Sequence, residues 1–282
     1  MRKLPIEYVQ NKNRHNYFLF KNDGGLSGFI REDRMFEEHL YNLYKKINCN
    51  GKNIIDIGAN LGVHTLEFAE MVGDNGKVYS FNIALSDKNG MTHIEKQDFH
   101  KNDLLNIGNT HISENGNEVE ERTLDSYNFK DIKIIKIDVQ GYEPFILNGS
   151  IKTIEENNPY IFIEIEDEHL TMFNKNPDDI KTFLNENGFL LKWIELFDYI
   201  AIPKFEIRFE DKIYLKSNSN VLATKIIFRE YNSKLILYRQ FNINFNDNVE
   251  WWFNSNRLLD CDKLILEIYN GDNIIFKRNI NK

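Results

Sequence analysis

Small, polar and acidic residues follow a short apolar run in the first quarter of the chain. Residues 53–57 are mostly β-branched, and Asp56 lies near the end of the run. Small residues come next, at Gly58, Ala59 and Gly62, and a helical pattern of apolar residues then begins. Glycines let a backbone approach a bound molecule closely, and the start of a helix offers free N–H groups. The stretch therefore predicts a ligand-binding turn between a strand and a helix.

Asp56 narrows the chemistry of that ligand, because a carboxylate attracts a molecule that is cationic or rich in N–H donors. S-adenosylmethionine has both properties, in its ammonium group and its sulfonium. A dinucleotide is disfavoured, since Gly58 and Gly62 leave no third glycine where the dinucleotide fingerprint requires one. The alternative is an ordinary strand–turn–helix whose glycines serve packing.

The elements that must position this turn follow an open α/β pattern. Apolar spacing predicts helices near 36–47, 61–72, 144–154 and 178–187. Apolar runs predict strands near 17–20, 27–30, 53–57, 91–96, 118–123, 132–138, 160–165, 189–195 and 198–202. Residues 98–117 carry no clear pattern and are expected to form a polar loop.

Residues 77–86 break the pattern. Two neighbouring parallel strands need a crossover of about a dozen residues, and none is available between Phe81 and Asn82. We therefore expect one long strand here, or two abnormally joined strands, and no second crossover helix.

The character of the chain changes at about residue 205. Alternating or aromatic runs predict strands near 223–230, 234–240, 249–253, 263–269 and 274–277, without a helical period. We expect two domains, an α/β domain over 1–204 and a small all-β, sandwich-like accessory domain over 205–282. Trp251, Trp252 and Tyr269 could stack on sugar rings, although an aromatic core is the favoured interpretation.

Composition excludes several classes of partner. A net charge of −8 argues against nucleic acid, whose binders need a basic surface. No apolar run reaches membrane-spanning length, and the amino terminus lacks the apolar core of a signal peptide. Cys49 and Cys261 form no disulfide framework, and no metal-ligand spacing is present. We expect a cytoplasmic protein without a metal site; its oligomeric state stays open.

Three segments together resemble the FkbM-type family of S-adenosylmethionine-dependent methyltransferases. They are residues 56–62 with Thr65, 136–143 and 159–164, with further family-like markers at 78–81, 84–87 and 124–125. Their order makes the resemblance specific over about half the chain, from residue 36 to 169. It says nothing about residues 205–282.

The resemblance implies a seven-stranded, Rossmann-like class I methyltransferase sheet that uses S-adenosyl-L-methionine. It implies methyl transfer to a hydroxyl oxygen of a glycan or another hydroxylated acceptor. The methionyl end of the cofactor would be lined by Asp56, Gly58, Asn60, Gly62 and Thr65. His64 would either contact the cofactor or pack against its own domain.

Three carboxylates are candidates for the base that takes the acceptor's proton. The resemblance places Asp138 and Glu143 near the transferred methyl, and Asp138 is the first choice. Glu143 and Glu164 are alternatives, and Glu143 fits capping of the following helix equally well. Residues 166–169 are expected to form a solvated charged loop.

Asn82 departs from the family pattern, which has an acidic residue after the second strand to accept both ribose hydroxyls. An amide is a poorer bidentate acceptor than a carboxylate. Loss of a charge-assisted bond weakens binding by about 1.5–3 kcal/mol.

The leading prediction is an O-methyltransferase. The alternative is a catalytically degenerate scaffold or glycan-binding protein, motivated by the missing crossover at Phe81 and Asn82. A nicotinamide-dependent oxidoreductase is a third hypothesis, and the absence of the three-glycine fingerprint argues against it.

Overall fold

The computed structural model describes residues 6–11, 15–95, 106–209, 212–218, 221–231, 235–245, 250–253 and 263–281. These residues form a mixed α/β structure, as predicted. The α-helices are α1 Leu26–Arg31, α2 Glu38–Tyr44, α3 Val63–Val72, α4 Glu143–Asn148, α5 Ile151–Asn157, α6 Asp167–Thr171 and α7 Pro177–Glu186. The first eleven strands are β1 Ile6–Gln10, β2 Asn16–Phe20, β3 Asn53–Ile57, β4 Lys77–Ser80, β5 Ala84–Leu85, β6 Gly90–Glu95, β7 Gly116–Arg122, β8 Ile132–Ile137, β9 Tyr160–Glu164, β10 Phe189–Glu195 and β11 Asp198–Pro203.

Six strands form the central sheet in the order β10-β11-β9-β8-β3-β4. β4, β3, β8 and β9 pair in parallel, whereas β11 is antiparallel to both of its neighbours. The family resemblance implied seven strands, and the described residues supply six. β4 is the edge strand on its side, because no crossover helix follows it to deliver another parallel strand.

Residues 77–86 form two abruptly joined strands and not one long strand, so the second of the two expected arrangements is confirmed and the first is wrong. β4 ends at Ser80, and β5 pairs with β7 in a separate three-stranded sheet of order β5-β7-β6. Since β4 and β5 belong to different sheets, three linking residues suffice and no helix lies between them. Phe81 and Ile83 in this link pack against the main core.

Helices cover both faces of the central sheet. On one face, Leu40 and Tyr44 of α2 and Phe68 of α3 pack against Ile54, Ile134 and Phe162 of the strands. On the other face, α4, α5 and α7 contribute Ile146, Ile154 and Leu184 to a second buried cluster. Side chains alternate between the two clusters along each strand, as strand geometry requires.

The strand expected at 27–30 is wrong, because this segment lies in α1. The Asp23 carboxylate accepts hydrogen bonds from the backbone N–H groups of Gly25 and Ser27. Leu26 and Ile30, four residues apart, are both buried. A four-residue segment with only two large apolar residues fits either period, and the turn at Asp23 favours the helix.

The described parts of residues 205–281 contain strands and no helix. These strands are β12 Phe205–Phe209, β13 Ile213–Ser217, β14 Val221–Glu230, β15 Ile236–Phe245, β16 Glu250–Phe253, β17 Lys263–Asn270 and β18 Asn273–Asn281. They form sheets of order β12-β13-β16 and β15-β14-β17-β18 around a shared core. The sequence reading missed β12 and β13, which are short and interrupted by charged side chains.

This strand region contacts the α/β region directly. Asn158 donates to the Phe205 carbonyl at 2.8 Å, and Tyr160 donates to Glu206 at 3.0 Å. Arg278, which is 5% exposed, donates to Asn158 and to the Asn187 carbonyl. Among the described residues, no helix is long and apolar enough to cross a membrane.

Candidate active site

The carboxyl ends of β3, β4 and β8 border a cleft of about 720 Å³. This volume lies within the usual range for cofactor sites, about 300–1,000 Å³. Four of the predicted site residues line the cleft: Gly58, Asn60, Asn82 and Asp138. Residues 107–108 and 110–112 line it as well, although the sequence analysis assigned them to an unstructured loop; residues 98–105 of that loop lie outside the described part.

The turn after β3 has a backbone conformation that requires glycine. Gly58 has φ +83°, and a Cβ atom there would lie 1.7 Å from the carbonyl oxygen of Asp138. Gly62, with φ +81°, precedes α3, and Asn60 adopts φ +48°. The Asn60 amide donates to the Ile107 carbonyl at 3.3 Å. The turns after β3 and β8 therefore meet backbone to backbone at the cleft.

Asp56 lies behind this turn and is fully buried. Thr65, on the first turn of α3, donates to Asp56 Oδ2 at 2.5 Å. Asp56 Oδ1 has no hydrogen-bond partner among the residues that the structure describes. A buried, unpaired carboxylate oxygen is costly, so a donor from a ligand would relieve it.

His64 points away from the cleft. Its Nε2 lies 2.8 Å from Glu37 Oε2, and its ring packs edge-on against Tyr44 with centroids 5.7 Å apart. The side chain is largely buried. Of the two roles considered for His64, the packing role matches this placement.

Asp138 is held by a buried lysine. Lys136 Nζ donates to Asp138 Oδ2 at 2.9 Å, and Lys136 is only 4% exposed. Burial opposes the charged form of Asp138, but the Lys136 ammonium prevails and holds the pKa of this carboxyl below its usual value. Burial likewise opposes the ammonium, yet Asp138 and Glu37 raise the pKa of Lys136 well above its ordinary value. Both groups are therefore charged at neutral pH.

Gln140 links Asp138 to Glu164. Its Nε2 donates to Asp138 Oδ1 at 3.1 Å and to Glu164 Oε2 at 2.9 Å. Gln140 has φ +57°, a left-handed conformation that is uncommon for a residue with a side chain. Burial and the charges of Asp138 and Glu143 raise the pKa of Glu164 to about 10. The structure therefore brings Asp138 and Glu164 together in opposite protonation states.

Glu143 holds the loop after β8. Its Oε1 accepts from the backbone N–H groups of Val139 at 3.1 Å and Gly141 at 3.2 Å. The side chain is 1% exposed, and burial raises its pKa to about 7. Because both N–H groups lie in the loop before α4, Glu143 braces that loop and does not cap the helix through these bonds.

Residues 166–169 do not form a loop, so that part of the expectation is wrong, although Asp167 and Glu168 are solvent-exposed as expected. They enter helix α6, and the side chains of Glu166 and His169 are each 19% exposed. His169 Nδ1 lies 2.9 Å from Glu166 Oε2. The Leu170 side chain at the end of this segment is fully buried, which anchors the helix on the core.

Sequence reasoning missed Glu37, Lys136 and Gln140. Lys136 carried a readable signal, because a lysine between Ile135 and Ile137 in a buried strand must have a charged partner. Glu37 carried no such signal, since it lies just before α2 whereas its partner His64 belongs to α3. Gln140 was read only as part of a motif.

Comparison with known proteins agrees with the motifs. Residues 35–191 match the Methyltransferase FkbM domain family. A crystal structure of Methyltransferase FkbM from Methylobacillus flagellatus KT is similar, at 11% sequence identity and a TM-score of 0.32. The match covers 57% of this chain and 50% of that one, so this chain spans about half the length of its structural neighbour. No curated protein matches the sequence.

Proposed function

Since the chain belongs to the methyltransferase FkbM domain family, we propose that it methylates a hydroxyl oxygen with S-adenosylmethionine as methyl donor. The acceptor class is a glycan or another hydroxylated small molecule. The observation that carries this proposal is the cleft that joins the glycine turn after β3 to Asp138 after β8.

The cleft residues fit the cofactor. Gly58 lets the turn after β3 pack against the Asp138 carbonyl at the cleft, and Asp56 Oδ1 is a buried acceptor that lacks a donor among the described residues. Asn60, Gly62 and Thr65 complete the turn that would hold the methionyl end. Asn82, which lines the cleft with an exposed side chain, would form a hydrogen bond with the ribose. Bound S-adenosylmethionine supplies an electrophilic methyl group.

Asp138 is the proposed base. As the acceptor oxygen forms its new bond to carbon, it becomes positively charged and its proton becomes strongly acidic. A carboxylate with a lowered pKa can therefore take that proton, provided that it is ionised and within reach. Lys136 keeps Asp138 ionised, and Gln140 fixes the orientation of its carboxylate. Glu164, protonated at neutral pH, would donate a hydrogen bond rather than accept the proton.

We also propose that residues 1–204 form the methyltransferase domain and residues 205–282 an accessory domain. Trp251 packs against the core of the strand region, and Tyr269 donates to Glu267 at 2.9 Å. These contacts favour the predicted structural role over sugar stacking; the Trp252 side chain lies outside the described residues. The alternative of a catalytically degenerate scaffold is not favoured, because the cleft beside Asn82 leaves open space where a cofactor could bind.

A transfer assay with methyl-labelled S-adenosylmethionine tests the proposal. A panel of sugars and other polyols should include acceptors that gain label in a base-stable ether. Asp138→Asn should lower turnover by about 10²–10⁴-fold, the usual contribution of a positioned base. Base-labile label would indicate carboxyl methylation and contradict the hydroxyl assignment.

A further inference from the structure

The end of β9 and the start of α6 bring three metal-ligand side chains together. One carboxylate oxygen each from Glu164 and Glu166 and one ring nitrogen of His169 all lie within 4.8 Å of one another. Their spacing along the chain matches no common metal motif, which is why the sequence predicted no metal site. The strand end followed directly by a helical turn folds the three side chains toward one point.

His169 Nδ1 and Glu166 Oε2 have the separation of neighbouring ligands on one ion. They lie 2.9 Å apart, yet Nδ1 makes no hydrogen bond within the described part of the chain and is shielded from solvent. Two ligand atoms bound side by side to a cation at about 2.1 Å lie about 3 Å apart. A cation between them would take the place of the direct contact between Nδ1 and the Glu166 carboxylate.

The surroundings add negative charge. Glu143 is 1% exposed, and its Oε2 has no hydrogen-bond partner among the described residues. The charges of Glu143 and Asp138 favour the protonated form of Glu164, so a cation bound by Glu164 would displace that proton. The Lys136 ammonium, on β8, is already paired with Asp138 in the turn after that strand. The cluster as a whole is therefore better suited to a cation than to an anion.

The cluster is also fixed to the loop that carries Asp138. Gly141 has φ +100°, and a Cβ atom there would lie 2.3 Å from the carbonyl oxygen of His169. The loop after β8 and helix α6 therefore pack backbone to backbone. Gln140 completes the connection, because its amide nitrogen donates hydrogen bonds to both Asp138 and Glu164.

We propose that Glu164, Glu166 and His169 bind one divalent cation beside Asp138. Two carboxylates and an imidazole suit Mn²⁺ among the available first-row ions. Three protein ligands leave coordination positions open. Through the Gln140 bridge, a bound cation would help to fix the loop that carries Asp138. This positioning effect rests on the proposed function, whereas cation binding itself does not.

Titration of the metal-stripped full chain with Mn²⁺, followed by calorimetry and by the loss of the free-ion electron paramagnetic resonance signal, tests the site. Wild type should bind one Mn²⁺ per chain. Glu166→Gln and His169→Ala should each weaken binding at least tenfold. His15→Ala is the matched control, because His15 Nε2 lies 2.9 Å from Glu70 Oε1 in a similar pair elsewhere. This control should bind Mn²⁺ like wild type.

Equal Mn²⁺ binding by wild type, Glu166→Gln and His169→Ala would overturn the site, as would no saturable binding by wild type. If circular dichroism shows that His169→Ala misfolds, His169→Gln replaces it in the same comparison. Binding of S-adenosylmethionine is measured on the same samples in EDTA. Mn²⁺ binding without cofactor binding would remove only the proposed function, and the reverse result would remove only the cation site.

Discussion

The turn after β3 and the turn after β8 meet at one cleft but are built in different ways. The first depends on backbone conformation, with Gly58 and Gly62 at positive φ and little side-chain volume. The second depends on charge, with Asp138 paired to the buried Lys136 and linked through Gln140 to Glu164. We infer that steric changes damage the first turn and unpaired charges damage the second.

Gly58→Ala should have the largest effect. Its Cβ would overlap the Asp138 carbonyl at 1.7 Å, and φ +83° disfavours any side chain. We expect a loss of more than about 4 kcal/mol in the free energy of unfolding and no detectable cofactor binding. Thermal and urea unfolding measure the loss of stability, and calorimetry measures cofactor binding. Gly90→Ala is the control, because nothing lies within 4 Å of its Cβ position. Equal stability of the two variants would refute the steric account.

Lys136→Met should destabilise the second turn by about 3–5 kcal/mol, because it leaves Asp138 as an uncompensated charge. Urea unfolding at neutral pH measures the change. The double variant Lys136→Met, Asp138→Asn should recover much of the loss, since no unpaired charge then remains. Lys152→Met removes an exposed lysine that donates to Asn128 and should change little. A double variant as unstable as the single one would argue against the charge account.

Glu143→Gln should remove a pH dependence of stability. Burial raises the folded-state pKa of Glu143 from 4.5 to about 7, so the ionised form is penalised in the folded protein. Its contribution to the free energy of unfolding therefore falls as pH rises from about 4.5 to 7, by ~3 kcal/mol. Glutamine can still accept from Val139 and Gly141 but does not ionise. Unfolding in EDTA across pH 4.5–8 should show a flatter profile for the variant; an unchanged profile would contradict this origin.

Asn82→Asp should give the smallest change, and a favourable one. A carboxylate at this position can accept both ribose hydroxyls with charge assistance, which adds about 1.5–3 kcal/mol to cofactor binding. Calorimetry should show S-adenosylmethionine binding at least about tenfold more tightly. Asn117→Asp changes charge at another cleft-lining asparagine and should not reproduce the gain. An equal gain in cofactor affinity in both variants would indicate a general effect of added negative charge at the cleft and not a contact with the ribose.

The difference between the two turns also explains what the sequence could predict. The glycine turn is local, so a turn at Gly58 and Gly62 could be predicted from the sequence, whereas the cofactor roles of Gly58, Asn60 and Gly62 came from the family resemblance and stay predictions. The pairing of Glu37 with His64, and of Glu164 with Gln140, joins residues far apart in the chain and needs the fold. The strands β4 and β5 were misread because sequence adjacency suggested one sheet, whereas the chain leaves the central sheet after Ser80.

The central claim is that the first turn binds S-adenosylmethionine while the second handles the acceptor's proton. Calorimetric titration of the cofactor into wild type, Asp56→Ala and Asp138→Ala, each checked for folding by circular dichroism, tests it most directly. The account predicts one-site binding to wild type, no binding to Asp56→Ala, and affinity within about threefold of wild type for Asp138→Ala, a change under about 0.7 kcal/mol. No binding to wild type, or equal loss in both variants, would contradict it.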